Sequence, residues 1–343
     1  MTRADAGNET HEPALAAFRR LTTATLAATF ALVVIGGIVR VSDSGLGCGP
    51  AGSGTHGWPL CQGGVVPESS AASIVEYTHR IVAGIVTVLI VLLVWQAVRR
   101  LRAHRELVIG SVIAAVLVLA QAGLGGLTVE HGLEEALVAA HLAIAMVLLG
   151  LLLLLRRWAA PTPEPAPVRR PVLRALSIAA ALLVLATITT GGYVAGTEAH
   201  GTPDRPVAGQ AHVACGIGWS TRVFPECIGR FPGFGQSHLA DIQVVHRTFM
   251  YLTAVAVLAM AATALLGGAA SPAFALAALL VVGQVALGAL NVWIGKRAGL
   301  IVGHLALGTI LWMTVVYAYA TLLAVRAPAG ERASPRSPAA VAT

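Results

Sequence analysis

Long apolar stretches separated by short polar ones run the length of this chain. Eight of them reach the length of about 20 residues that a helix needs to cross the hydrocarbon core of a bilayer. They are residues 18–39, 74–98, 107–128, 136–155, 172–195, 242–266, 273–294 and 300–325. Their apolar positions are continuous and broken by internal glycines, whereas a lipid-facing β-strand needs short alternating segments. The pattern therefore predicts an all-α integral membrane protein. The first stretch is too long for the apolar region of a signal peptide and lacks a small-residue cleavage site before Arg40, so it counts as a helix.

Composition changes the picture in one respect. A chain of 343 residues ordinarily suggests two or three soluble domains. Here 56% of residues are hydrophobic and 11% charged, against about one-quarter charged in a soluble domain, and mean hydropathy is +0.77. The net charge of +7 is not gathered into a basic stripe interleaved with aromatics, which argues against a nucleic-acid partner. It follows the loops instead. The N-terminus, the 99–106 loop, the 156–174 linker and the tail hold fifteen Lys and Arg, and the loops of the opposite side hold six. Basic loops stay inside, so both termini are expected in the cytoplasm of a multi-pass cell-membrane protein, with loops 40–73 and 196–241 facing outward.

The expected organisation is a cytoplasmic N-terminal segment (1–17), an N-terminal four-helix half (18–155), a Pro-rich cytoplasmic linker (156–171), a C-terminal four-helix half (172–325) and a disordered tail (326–343) rich in Pro, Ala and Ser. The halves are related in sequence. His79-Arg80 in the second helix matches His246-Arg247 in the sixth. Gln121-Ala-Gly-Leu-Gly-Gly-Leu-Thr-Val in the third matches Gln284-Val-Ala-Leu-Gly-Ala-Leu-Asn-Val in the seventh. His141-Leu-Ala in the fourth matches His304-Leu-Ala in the eighth. Four helices return the chain to its starting side, so the repeats are parallel, related by an axis along the membrane normal.

Of eleven histidines, only His79, His141, His246 and His304 fall inside apolar helices, each within the first turns of a helix running inward. A lone buried histidine is more often a hydrogen-bonding residue between helices. Four at repeat-equivalent positions point to function, because ionisable groups in a membrane are costly. Two per half is what axial ligation of a haem iron requires. Zinc is a weaker fit, since no cysteine or carboxylate cluster lies at ligand spacing in the helices. The reading is two haem sites, one per half. Arg80 and Arg247 are candidates for haem propionate contacts or for snorkelling to the outer headgroups. Gln121 and Gln284 read as packing and interhelical hydrogen-bonding residues. The loop histidines His56, His104, His131, His200, His212 and His238 read as solvated.

Glu76 stands three residues before His79 and shares its helix face, while the equivalent residue before His246 is Gln243. One carboxylate thus breaks the symmetry: either an interfacial side chain in water or a catalytic group beside one haem. All four cysteines lie in the outward loops, and pairing within each loop, Cys48–Cys61 and Cys215–Cys227, is favoured over the other two connectivities. A redox-active pair would lack the usual Cys-X-X-Cys spacing.

These residues resemble a known family. Arg40-Val-Ser-Asp-Ser-Gly-Leu-Gly-Cys48, Trp58-Pro-Leu-Cys61 and Glu76-Tyr-Thr-His79-Arg80, followed by His141, His246-Arg247, Gln284 and His304, are similar to the haem A synthases over about residues 20–325. The family's first-loop cysteines are usually closer together than Cys48 and Cys61. The resemblance implies an oxidoreductase that converts the C8 methyl of haem O to a formyl, giving haem A for terminal oxidases. It implies that His246 and His304 hold a resident haem b for electron transfer, that His79 and His141 bind the substrate haem, and that Glu76 lies beside the reacting methyl. If both His79 and His141 ligate iron together, no axial position remains for oxygen. Either one ligand swings away, or electrons leave the porphyrin and water attacks the methyl carbon. Membrane lipid, the haem O-forming enzyme, terminal-oxidase assembly factors and a second copy of the chain are the candidate partners. The main competing reading is a di-haem b-type electron carrier or quinol oxidoreductase, which leaves the Glu76/Gln243 asymmetry without a role. A haem or solute transporter fits the repeat but does not need paired histidines.

Overall fold

The computed structural model describes residues 3–67, 69–160, 170–197, 210–269, 271–295 and 297–323. Among these it contains eight long α-helices and no strand: α1 (Arg3–Val41), α2 (Ala71–Arg100), α3 (Arg105–Glu130), α4 (Glu135–Trp158), α5 (Pro171–Gly196), α6 (His238–Leu266), α7 (Ala273–Trp293) and α8 (Ala298–Thr321). All eight are long and apolar enough to cross a membrane. In lipid a backbone must satisfy its own hydrogen bonds, which a helix does internally. The chain is an all-helical, multi-pass membrane protein, as the apolar pattern predicts.

Helix boundaries differ from the apolar runs where capping chemistry takes over. Ser70 accepts from the Ser73 amide at 3.1 Å and Ser237 accepts from the Ala240 amide at 3.2 Å, so α2 and α6 start three and four residues before their apolar runs. Both serines stand nine residues before a leading histidine, His79 and His246. α1 begins at Arg3, within the expected N-terminal segment 1–17, and Ala14 and Phe18 of this helix are buried in the core. The expected linker starts inside α4, which runs to Trp158. Residues 161–169 of that linker and the whole tail 326–343 lie outside the described residues.

Within each set of four, every helix packs on the next, and the first closes on the fourth: α1 on α4, α5 on α8. The two sets meet along α1, α4, α5 and α8. Trp312 of α8 fixes that seam, donating from its indole nitrogen to the Met146 carbonyl of α4 at 2.8 Å. Small residues let these helices approach: a Cβ at Gly150 would meet the Trp312 ring, and one at Gly192 would meet Ala139. Val88, Val116, Leu182, Val255 and Leu279 are exposed, an outer surface suited to lipid. The two long loops share one end of the bundle, where Arg40 at the end of α1 donates to the Ala195 carbonyl of α5 at 2.9 and 2.6 Å.

Candidate functional site

Each long loop is closed by a disulfide, Cys48–Cys61 in the first and Cys215–Cys227 in the second. In both, the second cysteine forms an isolated bridge with the residue three ahead, Cys61 with Gly64 and Cys227 with Arg230. The arginine after each leading histidine reaches into this loop at matching positions. Arg80 donates to the carbonyls of Gly57 (2.6 Å) and Leu60 (2.9 Å), four and one residues before Cys61. Arg247 donates to those of Val223 and Glu226, both at 2.6 Å, four and one residues before Cys227. The arginines therefore turn into the loops rather than outward to headgroups, and lock the loops onto the helices that bear the histidines.

The carboxylate of Glu76 sits beneath the first loop. It is buried, one oxygen accepting from the Cys48 amide at 2.8 Å and the other ion-paired to Arg80. Burial of the charge is thus compensated twice. Gln243 is equally buried at the equivalent position of α6, but its Oε1 has no partner among the described residues, nor has Nη2 of Arg247.

The four helical histidines fall two to each half, His79 of α2 and His141 of α4 in the first, His246 of α6 and His304 of α8 in the second. Each ring stands against a glycine of the preceding helix: His79 on Gly36, His141 on Gly125, His246 on Gly191 and His304 on Gly288. An ideal Cβ at those glycines would lie 3.2, 3.4, 2.9 and 3.0 Å from the imidazole Cε1. Gln121 donates to the His141 carbonyl at 2.8 Å and Gln284 to the His304 carbonyl at 3.0 Å. The described residues contain no cluster of three or more His, Cys, Asp or Glu able to hold a bare metal ion. A pair of imidazoles in a bare-backbone cradle instead fits an iron porphyrin, which brings four nitrogens of its own and needs only two axial ligands.

The family model described as "cytochrome oxidase assembly protein" (COX15-CtaA) matches residues 19–316. The chain belongs to this family. Among similar proteins, the haem A synthase of Shouchella clausii is 29% identical over 279 residues, covering 79% of this chain and 85% of its own length. That of Halalkalibacterium halodurans is 31% identical over 200 residues, covering 57% of this chain and 59% of its own length. That of Rhizorhabdus wittichii is 29% identical over 339 residues, covering 84% and 89%. The family resemblance carried by the motifs is borne out. In this member of the COX15-CtaA family, several residues near the histidines escape a reading of the sequence. The four glycines are hidden among 37, and only the placed helices single them out. His212, expected to be solvated, is half-buried on a single helical turn (Ala211–Val213) that packs on α5 and α6. His200 lies outside the described residues.

Proposed function

We propose that this chain oxidises the C8 methyl of haem O to the formyl of haem A. The observation that carries the reading is the broken symmetry around the histidine pairs: a buried, fixed Glu76 three residues before His79, against Gln243 before His246. Its support is the family, whose named relatives above are haem A synthases. His79 and His141 would hold the substrate haem O, and His246 and His304 a resident haem b. When bound, haem b supplies one-electron transfer. Converting a methyl to a formyl adds one oxygen atom and, with water as its source, releases four protons and four electrons, which an external electron acceptor must take up. The chain's own contribution is to keep a carboxylate at fixed height beside the substrate ligand. Glu76 is oriented by the Cys48 amide and Arg80, and would accept a proton from the reacting carbon or stabilise positive charge there.

The same reading makes the loop end the outer face and the cytoplasm the home of both termini. Haem O arrives and haem A leaves within the bilayer, from the haem O-forming enzyme and toward terminal-oxidase assembly factors. The test is to express the chain with a haem O supply and acid-extract its pigments. Haem A is expected, and Glu76→Gln, which keeps shape and removes charge, is expected to cut its yield by about 10²-fold while the resident haem b is retained. Only haem b in the wild-type extract would make the protein an electron carrier, and near-normal haem A from Glu76→Gln would reduce that residue to a structural anchor of the loop.

A further inference from the structure

We infer that the two halves are built for different haem residence, the C-terminal half to retain its haem and the N-terminal half to release one. The inference rests on the reading above, with His246 and His304 holding the resident haem and His79 and His141 the substrate. Two contrasts between equivalent positions carry it.

One lies behind the imidazoles. An axial histidine bound through Nε2 keeps its proton on Nδ1, and an acceptor there fixes the ring and strengthens the ligand. His246 Nδ1 is 3.1 Å from the Thr187 carbonyl and 3.3 Å from Thr190 Oγ1, so a proton on Nδ1 has both as acceptors. The Thr190 hydroxyl is free to accept because its own proton is taken by the backbone, with the Ala186 carbonyl at 2.9 Å and the Thr187 carbonyl at 3.0 Å. The Thr187 carbonyl is reachable because the residue one turn on is Gly191, which leaves the backbone bare. Aligning Gly36 with Gly191 puts Leu32 and Ile35 where Thr187 and Thr190 stand. Nδ1 of His79 and of His141 is buried with no hydrogen-bond partner among the described residues. His304 Nδ1 is likewise without one, its ring contact being Nε2 to Gln284 Nε2 at 3.3 Å, so of the four only His246 is held through Nδ1.

The other contrast is charge. Arg247 is 5% exposed, forms no ion pair with a carboxylate among the described residues, and leaves Nη2 without a partner. A buried guanidinium without a counter-ion is costly, and a haem propionate supplies the missing anion through a charge-assisted hydrogen bond. Arg80 is already neutralised by Glu76. A propionate entering the N-terminal half meets a satisfied arginine and two unanchored imidazoles. A cofactor must stay, whereas a substrate must enter and its product leave.

The experiment uses the full chain in lipid nanodiscs, loaded with haem b and haem O and mixed with excess apomyoglobin. Transfer is followed by absorbance and each departing haem identified by chromatography. The apolar tail of haem O works against its departure, yet haem O is expected to leave at least about tenfold faster than haem b. Gln243→Glu gives Arg247 the partner that Arg80 has, and Thr190→Val removes one acceptor from His246. Each is expected to speed haem b loss by about 10- to 100-fold with a low-spin spectrum still present before transfer. Thr190→Val also raises the haem b midpoint potential, because a less electron-rich imidazole favours ferrous iron. Equal departure rates in the wild type, or unchanged haem b loss in both variants, overturn the inference. His246→Ala keeps the two readings apart. Survival of the low-spin haem b spectrum in that variant sinks the assignment of the halves, whereas its loss alongside inert Gln243→Glu and Thr190→Val sinks only the retention device.

Discussion

Single atoms decide much at this site, and the clearest case is the missing Cβ at Gly191. A methyl there would lie 2.9 Å from His246 Cε1 and 3.4 Å from Nδ1, so the ring must shift away from the Thr187 carbonyl. Gly191→Ala should therefore lower haem b occupancy by about tenfold or alter its low-spin paramagnetic signal. Gly84→Ala, on α2 with nothing within 4 Å of its Cβ, should leave both unchanged. Haem content and the electron paramagnetic resonance spectrum of the two variants, purified side by side, check this, and equal spectra would remove the cradle from the argument. The histidines could be read from the sequence because an ionisable side chain in an apolar run is costly and stands out. Their seats could not, because glycine is common in membrane helices for close packing, and nothing local separates a glycine facing a ring from one facing lipid. Glu76 lies between these cases. Its asymmetry with Gln243 is visible in the residues, but its burial under the Cys48 amide depends on how a distant loop folds back.

At the level of elements, the first outward loop and α2 act as one part. The Cys48–Cys61 bond closes the loop, Arg80 grips it through the Gly57 and Leu60 carbonyls, and the Cys48 amide holds Glu76 in return. The second loop repeats the bond and the arginine grip on α6 but has no carboxylate to hold. The two bridges span nearly equal separations, 13 and 12 residues. On the chain-entropy view, replacing either pair by serines should cost a similar amount, about 2–4 kcal/mol, measured by thermal unfolding in nanodiscs. Their effects on chemistry should differ. The Cys48→Ser/Cys61→Ser protein should lose haem A output beyond its loss of folded material, because Glu76 is no longer fixed. The Cys215→Ser/Cys227→Ser protein should lose output only in proportion to folded material. Equal specific output from the two would detach the first loop from the reaction. The helices themselves were plain in the sequence because about 20 apolar residues in a row have few other uses. Their starts were not, since Ser70 and Ser237 extend α2 and α6 beyond the apolar run, and α1 continues through residues too polar to lie in lipid.

For the whole molecule, an even number of membrane-crossing helices would bring both ends of the bundle's chain back to one side, and two unrelated features support the proposed orientation. Basic residues gather at the end of the bundle away from the long loops, where they also tie helices together. Arg19 donates to the Ala159 carbonyl at 3.2 Å, Arg156 to the Thr23 hydroxyl at 3.0 Å, and Arg170 to the Gly268 carbonyl at 3.4 Å. Lys and Arg near helix ends resist translocation, so under the proposed orientation this end would lie in the cytoplasm. The opposite end carries both disulfides, which persist in an oxidising compartment and are rare in the cytosol. Charge and redox chemistry thus point the same way without depending on each other. Alkaline phosphatase fused after Arg326 should be inactive, green fluorescent protein at the same site should fluoresce, and phosphatase inserted after Gly52 of the first loop should be active. The reverse pattern would put the disulfides in the reducing compartment and Glu76, with the loop that holds it, on the cytoplasmic side. A fusion active on both sides would mean that fifteen basic residues against six do not fix the orientation.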